Sequence, residues 1–217
     1  MFWTGAVIIG LAILVYLIDS QITPKNVLTK VQYTLFIIGF LPLGLSYFYQ
    51  YFDFENIEIT DKGYFEFNSD ELIIDNNQKI NYKDINELKI NIVAHYNERI
   101  NVIYNTPTET RSLGLSNEIQ ISTSSKNIKF NFKLENESHV KRLEKFMFEL
   151  VISEKLSNLS AKTTIKLIPE RYRKSTGYKN YVINQLIAKR INCTEGLLLH
   201  GYKSDKEAKV LREKYCG

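Results

Sequence analysis

The densest group of side chains with chemistry to offer lies late in the chain, where Arg171, Arg173, Lys174 and Lys179 are interleaved with Tyr172, Tyr178 and Tyr181. Guanidinium and ammonium groups pair with phosphate or carboxylate, and tyrosine rings add flat apolar surface. The pattern suits an anionic ligand: a lipid head group, a nucleotide or a nucleic acid. A solvated basic face on a helical appendage is the plainer alternative. Arg99, Arg111 and Lys126, in the middle of the chain, are further candidates for ligand binding.

No residue pattern names a reaction. His95, His139 and His200 are scattered, with no pair at helical spacing and no HExxH, so no metal site is expected. Gly177, Gly196 and Gly201 form no phosphate-cradling loop, and neither GxGxxG, GxxxxGK[ST] nor GxSxG occurs. The expectation is a non-enzymatic protein with no catalytic residues and no cofactor. Cys193 and Cys216 form no CxxC and are read as free thiols of a reducing compartment, with one periplasmic disulfide as the alternative.

These candidates hang from an anchor. Two apolar runs, Phe2 to Ile18 and Val31 to Phe52, are each long enough to cross a bilayer core, which takes ~17–25 helical residues. Neither carries an ionisable side chain, which argues against a transporter or proton path. The first run has no basic residue before it and a poor cleavage site after it, so it reads as a retained helix and not as a signal peptide. Trp3, Tyr16, Tyr33, Tyr47, Tyr49 and Tyr51 suit the interfaces. Ala6, Gly10, Gly39 and Gly44 are small enough to let helices approach closely, within a hairpin or between copies, and Pro42 should kink the second helix.

The short link Ser20 to Lys30 puts both chain ends on one side of the membrane. Lys25 and Lys30 would pull the link to the cytoplasm. Free thiols, the lack of an export signal and a basic tail point the soluble part there instead. The expected location is the inner membrane, multi-pass, with the soluble part cytoplasmic.

Charge divides the remainder: residues 53–150 carry 12 basic and 17 acidic side chains, and residues 151–217 carry 14 and 6. The expected division is a two-helix anchor over 1–52, a soluble domain over 53–155 and a basic helical tail over 156–217. In the middle part, alternating segments predict strands at Ile57 to Thr60, Tyr64 to Asn68, Glu71 to Asp75, Lys79 to Tyr82, Glu87 to His95, Asn101 to Tyr104, Ile119 to Thr123 and Ile128 to Leu134. Asp75, Asn76 and Asn77, and later Ser125, Lys126 and Asn127, supply turns. Asn105 to Asn117 reads as a long loop, a common place for ligands. From Ser138, the apolar stripe Val140, Leu143, Phe146, Met147, Leu150 and Val151 predicts a helix that closes the sheet system. In the tail, Val182, Leu186, Ile187 and Ile191 predict another, and Ser204 to Lys214 a third.

Short antiparallel strands closed by one amphipathic helix resemble the bacterial pleckstrin-homology-like domains carried by two-helix membrane proteins. The residues carrying the likeness are Glu71 to Asp75, Lys79 to Leu88 and the helix from Ser138. The resemblance implies a membrane-anchored module that binds lipid head groups, peptides or partner proteins. The architecture is also similar to two-helix β-barrel effectors of anti-phage signalling. That resemblance implies that a cyclic oligonucleotide bound to a barrel drives oligomerisation and membrane disruption. The expected fold is therefore a membrane hairpin plus a small antiparallel β domain, roll or barrel, with a basic helical tail. Expected partners are the bilayer, an anionic small ligand such as a head group or cyclic nucleotide, and further copies of the chain; nucleic acid is not expected.

Overall fold

Each apolar run becomes one helix, α1 (Phe2–Asp19) and α2 (Thr29–Tyr49), in a computed structural model that describes residues 1–21, 29–59, 63–100 and 110–216. Their mean hydropathies are 2.1 and 1.5, yet only 11% of each span is buried. A core helix of a water-soluble domain would hide most of such a surface, so these helices have the length and the outward apolar faces to cross a membrane. Gly39 is buried against α1: a Cβ there would come within 2.7 Å of Ile9 Cγ1. Its counterpart is Gly5, where a Cβ would meet the Gly39 carbonyl oxygen at 2.8 Å. Ala6 is half-buried, whereas Gly10 and Gly44 are exposed and face open space.

By contact the chain divides into two units, Met1–Glu58 with Tyr96–Leu113, and Ile59–His95 with Gly114–Gly217. The first joins the helical hairpin to a two-stranded ribbon, β5 (Tyr96–Arg99) and β6 (Arg111–Leu113). The second holds β1 (Phe65–Phe67), β2 (Glu71–Ile74), β3 (Gln78–Asn81), β4 (Ile85–Asn91), β7 (Asn117–Thr123) and β8 (Asn127–Phe132). Helices α3 (Glu137–Ile152), α4 (Ala161–Leu167), α5 (Thr176–Ile187), α6 (Cys193–His200) and α7 (Asp205–Tyr215) follow.

The second unit is two antiparallel three-stranded sheets, ordered β1-β2-β3 and β4-β7-β8. Asp75 and Asn76, with φ of 51° and 58°, make the tight turn from β2 to β3 that Asn and Asp tolerate. A register shift between Ile85 and Glu87 lets both Ile85 and Leu88 point inward despite their spacing of three. Leu72 and Ile80 from one sheet, Leu88, Ile119 and Ile121 from the other, and Met147, Leu150 and Val151 of α3 meet in one core. Tyr82, 1% exposed, donates its hydroxyl to the Asn68 carbonyl at 2.8 Å, and burial pushes its pKa well above the usual tyrosine range. The described strands form separate sheets and do not close into a barrel, so the barrel expectation falls.

Other expectations also shift. Residues 57–59 form no strand, residues 101–104 lie outside the described residues, and β5 and β6 were not anticipated. Helix α3 is capped by Asn136, whose side chain accepts from His139 N at 3.0 Å. The tail is no appendage: Leu156, Ile165, Ile168, Tyr178, Val182 and Leu186 complete the core of the same unit. Cys193 and Cys216 are bonded, with Cα atoms 5.7 Å apart, which overturns the free-thiol reading.

Candidate functional site

The chain leaving α2 is held by the ribbon through hydrogen bonds within the first unit. Thr110 Oγ1 donates to the Gln50 carbonyl at 2.6 Å. Arg111 donates from Nε to the Tyr51 carbonyl, also at 2.6 Å, and from Nη1 to Asn97 Oδ1. Arg99, opposite Arg111 in the ladder, sits over the Tyr51 ring at 5.3 Å, a cation–π arrangement. Glu55 Oε1 accepts from Ser112 Oγ at 2.6 Å and from Leu113 N at 2.7 Å. The fold thus brings two of the sequence candidates, Arg99 and Arg111, together on one tyrosine, Arg111 on its backbone and Arg99 over its ring. Replacing Arg111 with alanine removes these bonds at an expected local cost of about 1–3 kcal/mol. The measurable result is faster hydrogen exchange at residues 50–55 with little change in the melting of the second unit.

A different pair meets in the second unit. Between the end of β4, helix α3 and the turn after α4 lies a cleft of about 240 Å³, lined by Ile90, Ile92, Glu144, Met147, Lys166, Leu167, Ile168, Pro169, Glu170 and Arg173. Among the described residues, β4 is an edge strand that pairs only with β7 in its sheet. The alternation of β4 sets Ile90 toward the cleft, and the stripe of α3 does the same for Met147. Arg173 donates from Nε to the Ile168 carbonyl at 3.3 Å. Arg171 Nε stands 2.8 Å from Glu144 Oε2, close enough for an ion pair, but that buried oxygen accepts no hydrogen bond of good geometry. Phe148 stacks on Tyr172 at 4.7 Å and fixes the turn that carries both arginines.

Lys174 is exposed in the turn before α5 and Lys179 is half-buried on α5; neither lines this cleft. Lys126 is exposed in the β7–β8 turn, where its backbone closes the hairpin with Thr123. Lys166, invisible as a candidate in the sequence because it lies apart from the arginine run, joins Arg173 here. No group of three or more His, Cys, Asp and Glu side chains able to hold a metal ion occurs among the described residues.

These features define a class: a chain with two helices of membrane-spanning length joined to a two-sheet antiparallel domain closed by helices. No protein-family model matches it, and neither a curated protein nor a solved structure does.

Proposed function

We propose that this chain is a membrane-anchored, non-enzymatic binding module. The α1–α2 hairpin holds it in a bilayer, and the cleft beside β4 receives an anionic group from a lipid, a partner protein or a small ligand. The observation that carries the reading is the meeting of Lys166 and Arg173 over an apolar floor of Ile90, Ile92 and Met147. Arg171, outside the lining, stands beside Glu144, and within the cleft Lys166 and Arg173 face a ligand together with the carboxylate of Glu170. A cleft this small takes a single head group or side chain. A screen of anionic vesicles, nucleotides and acidic peptides against the full chain in nanodiscs should find a micromolar ligand. Arg173→Glu should weaken it about tenfold, a loss of roughly 1.4 kcal/mol. A screen that yields no ligand weakened by that substitution would sink the proposal.

The cystine changes the preferred orientation. Disulfides persist on oxidising faces and are rare in the cytoplasm. We therefore place the soluble part outside the cytoplasm, in contrast to the cytoplasmic position expected from the sequence. This also leaves Lys25 and Lys30 on the cytoplasmic side, as the positive-inside bias prefers. A reporter that is active only after export, fused behind Gly217, should give signal; a reporter active only in the cytoplasm should not. The reverse pattern would restore the opposite topology.

A further inference from the structure

A second and larger cleft, about 830 Å³, opens where the end of α5, the start of α6 and the end of α7 converge. Its volume falls in the range of sites for small organic ligands, roughly 300–1,000 Å³. Four cations, Lys162, Lys189, Arg190 and Lys214, stand on its walls against one carboxylate, Glu195. None of them belongs to the basic cluster that stands out in the sequence.

The cations are not loose surface charges throughout. Gln185, 1% exposed, donates from Nε2 to Glu154 Oε1 at 2.8 Å and accepts from Arg190 Nη1 at 3.4 Å. Glu154 Oε2 reaches the same arginine nitrogen at 3.7 Å. Lys189 adopts φ of 56°, a left-handed conformation that lysine rarely takes, and the turn it makes lets Arg190 N donate to the Gln185 carbonyl at 2.9 Å. Lys162 lies 3.2 Å from Glu195, which partly neutralises it. Apolar surface adjoins the charges: Ile187 is 58% exposed, and Tyr215 forms the facing wall with Lys214 over its ring at 5.0 Å.

That facing wall depends on the cystine. Helix α7 buries no residue of its own, and only its end, Tyr215 and Cys216, packs on the core. The bond from Cys216 to Cys193, the first residue of α6, pins that end beside the cleft.

We propose that this cleft binds a phosphorylated ligand of about nucleotide size. Lys189, Arg190 and Lys214 take the phosphates, and Ile187 and Tyr215 take the apolar part. The Cys193–Cys216 bond holds Lys214 and Tyr215 in register with the other two cations. The phosphate could belong to a soluble nucleotide or to a lipid, and the test separates these sources.

The full chain in phosphatidylcholine nanodiscs is titrated with adenosine triphosphate carrying a methylanthraniloyl fluorophore. A parallel series uses nanodiscs that also contain phosphatidylglycerol. Saturable nucleotide binding, weakened tenfold or more by Lys189→Glu and by Lys214→Glu with unchanged melting, is the expected result for a soluble ligand. Displacement of the nucleotide by phosphatidylglycerol, with the same sensitivity to both substitutions, assigns the site to a lipid. Cys216→Ser should weaken binding through the loss of one wall, while Arg173→Glu in the smaller cleft should leave it unchanged, so the two sites stand or fall separately. Should neither nucleotide nor anionic lipid bind, or should binding ignore both lysine substitutions, the proposal is overturned. Lys214 is on an exposed helix, so its variant reads the site even if changes near Gln185 disturb folding.

Discussion

Replacing Asn117 with leucine should cost the second unit about 4 kcal/mol and lower its melting temperature by roughly 10–16 °C. Asn117 is 0% exposed, and every polar valence of its side chain is used. Its Oδ1 accepts from the backbone nitrogens of Val93 at 2.8 Å and Ala94 at 3.2 Å. Its Nδ2 donates to the carbonyls of Ala94 at 2.9 Å, Gly114 at 2.7 Å and Phe132 at 3.3 Å. One amide therefore ties together the exit of β4, the return of the chain before β7 and the end of β8. Leucine has the same branched shape but bulkier ends, and it strands two backbone donors and weakens three acceptors, each a loss of about 1–3 kcal/mol before the structure relaxes.

Asn117→Asp provides the sharper control. It keeps the acceptor for Val93 and Ala94 but turns a carboxylate oxygen toward three carbonyls. Its folded-state pKa is then raised above the unfolded value, and the destabilisation is present at neutral pH and eases as pH falls through that raised pKa. Thermal melts of both variants at two pH values check the account. An Asn117→Leu variant melting within a few degrees of the parent would show that these bonds contribute little.

Asn117 also shows where sequence reading reached its limit. It was legible only as the end of a loop, because asparagine in a polar stretch between apolar segments fits a turn as well as a buried junction. Where a pattern repeats locally, the sequence was informative. Ile128, Phe130 and Phe132 alternate and lie in a strand, and Asp75 with Asn76 made the expected turn. The α3 stripe packed as core. What failed depended on partners distant along the chain. The ribbon strand β6 lies inside a segment with a proline and a glycine, and its partners are β5 and the backbone of Asp53 and Glu55. Cys193 and Cys216 are 23 residues apart, and only the return of α7 onto α6 brings them together. Both clefts are assembled the same way: Lys166 of α4 and Arg173 of the following turn line one, and Lys162, Arg190 and Lys214, far apart in the chain, line the other. A run of basic residues was visible, but the clefts gather cations from separate elements.

The hairpin offers the second large effect. Gly39→Leu should separate α1 from α2, whereas Gly10→Leu and Gly44→Leu should be nearly silent for the hairpin itself. In lipid there is no hydrophobic drive between helices, so their association rests on close van der Waals fit. The approach at Gly39 leaves no room, since a bare Cβ would stand 2.7 Å from Ile9 Cγ1 and 3.2 Å from Ile9 N. A leucine there cannot be accommodated by rotating a side chain, because backbone is part of the obstruction. Gly5 faces the same difficulty from the other helix, with the Gly39 carbonyl oxygen 2.8 Å from its would-be Cβ. Gly10 and Gly44 meet nothing within 4 Å, so larger side chains at those positions project outward. Unfolding of the full chain by titration with sodium dodecyl sulfate, followed by quenching between fluorophores placed at Phe2 and Tyr47, should show the Gly39→Leu hairpin open at low detergent. Those two rings lie 5.9 Å apart in the folded hairpin, so their separation reports directly on its opening. A Gly39→Leu midpoint equal to the parent's would mean that the helices do not depend on this contact. Sensitivity at Gly10 or Gly44 that grows with protein concentration would instead place those outward glycines in contacts between copies.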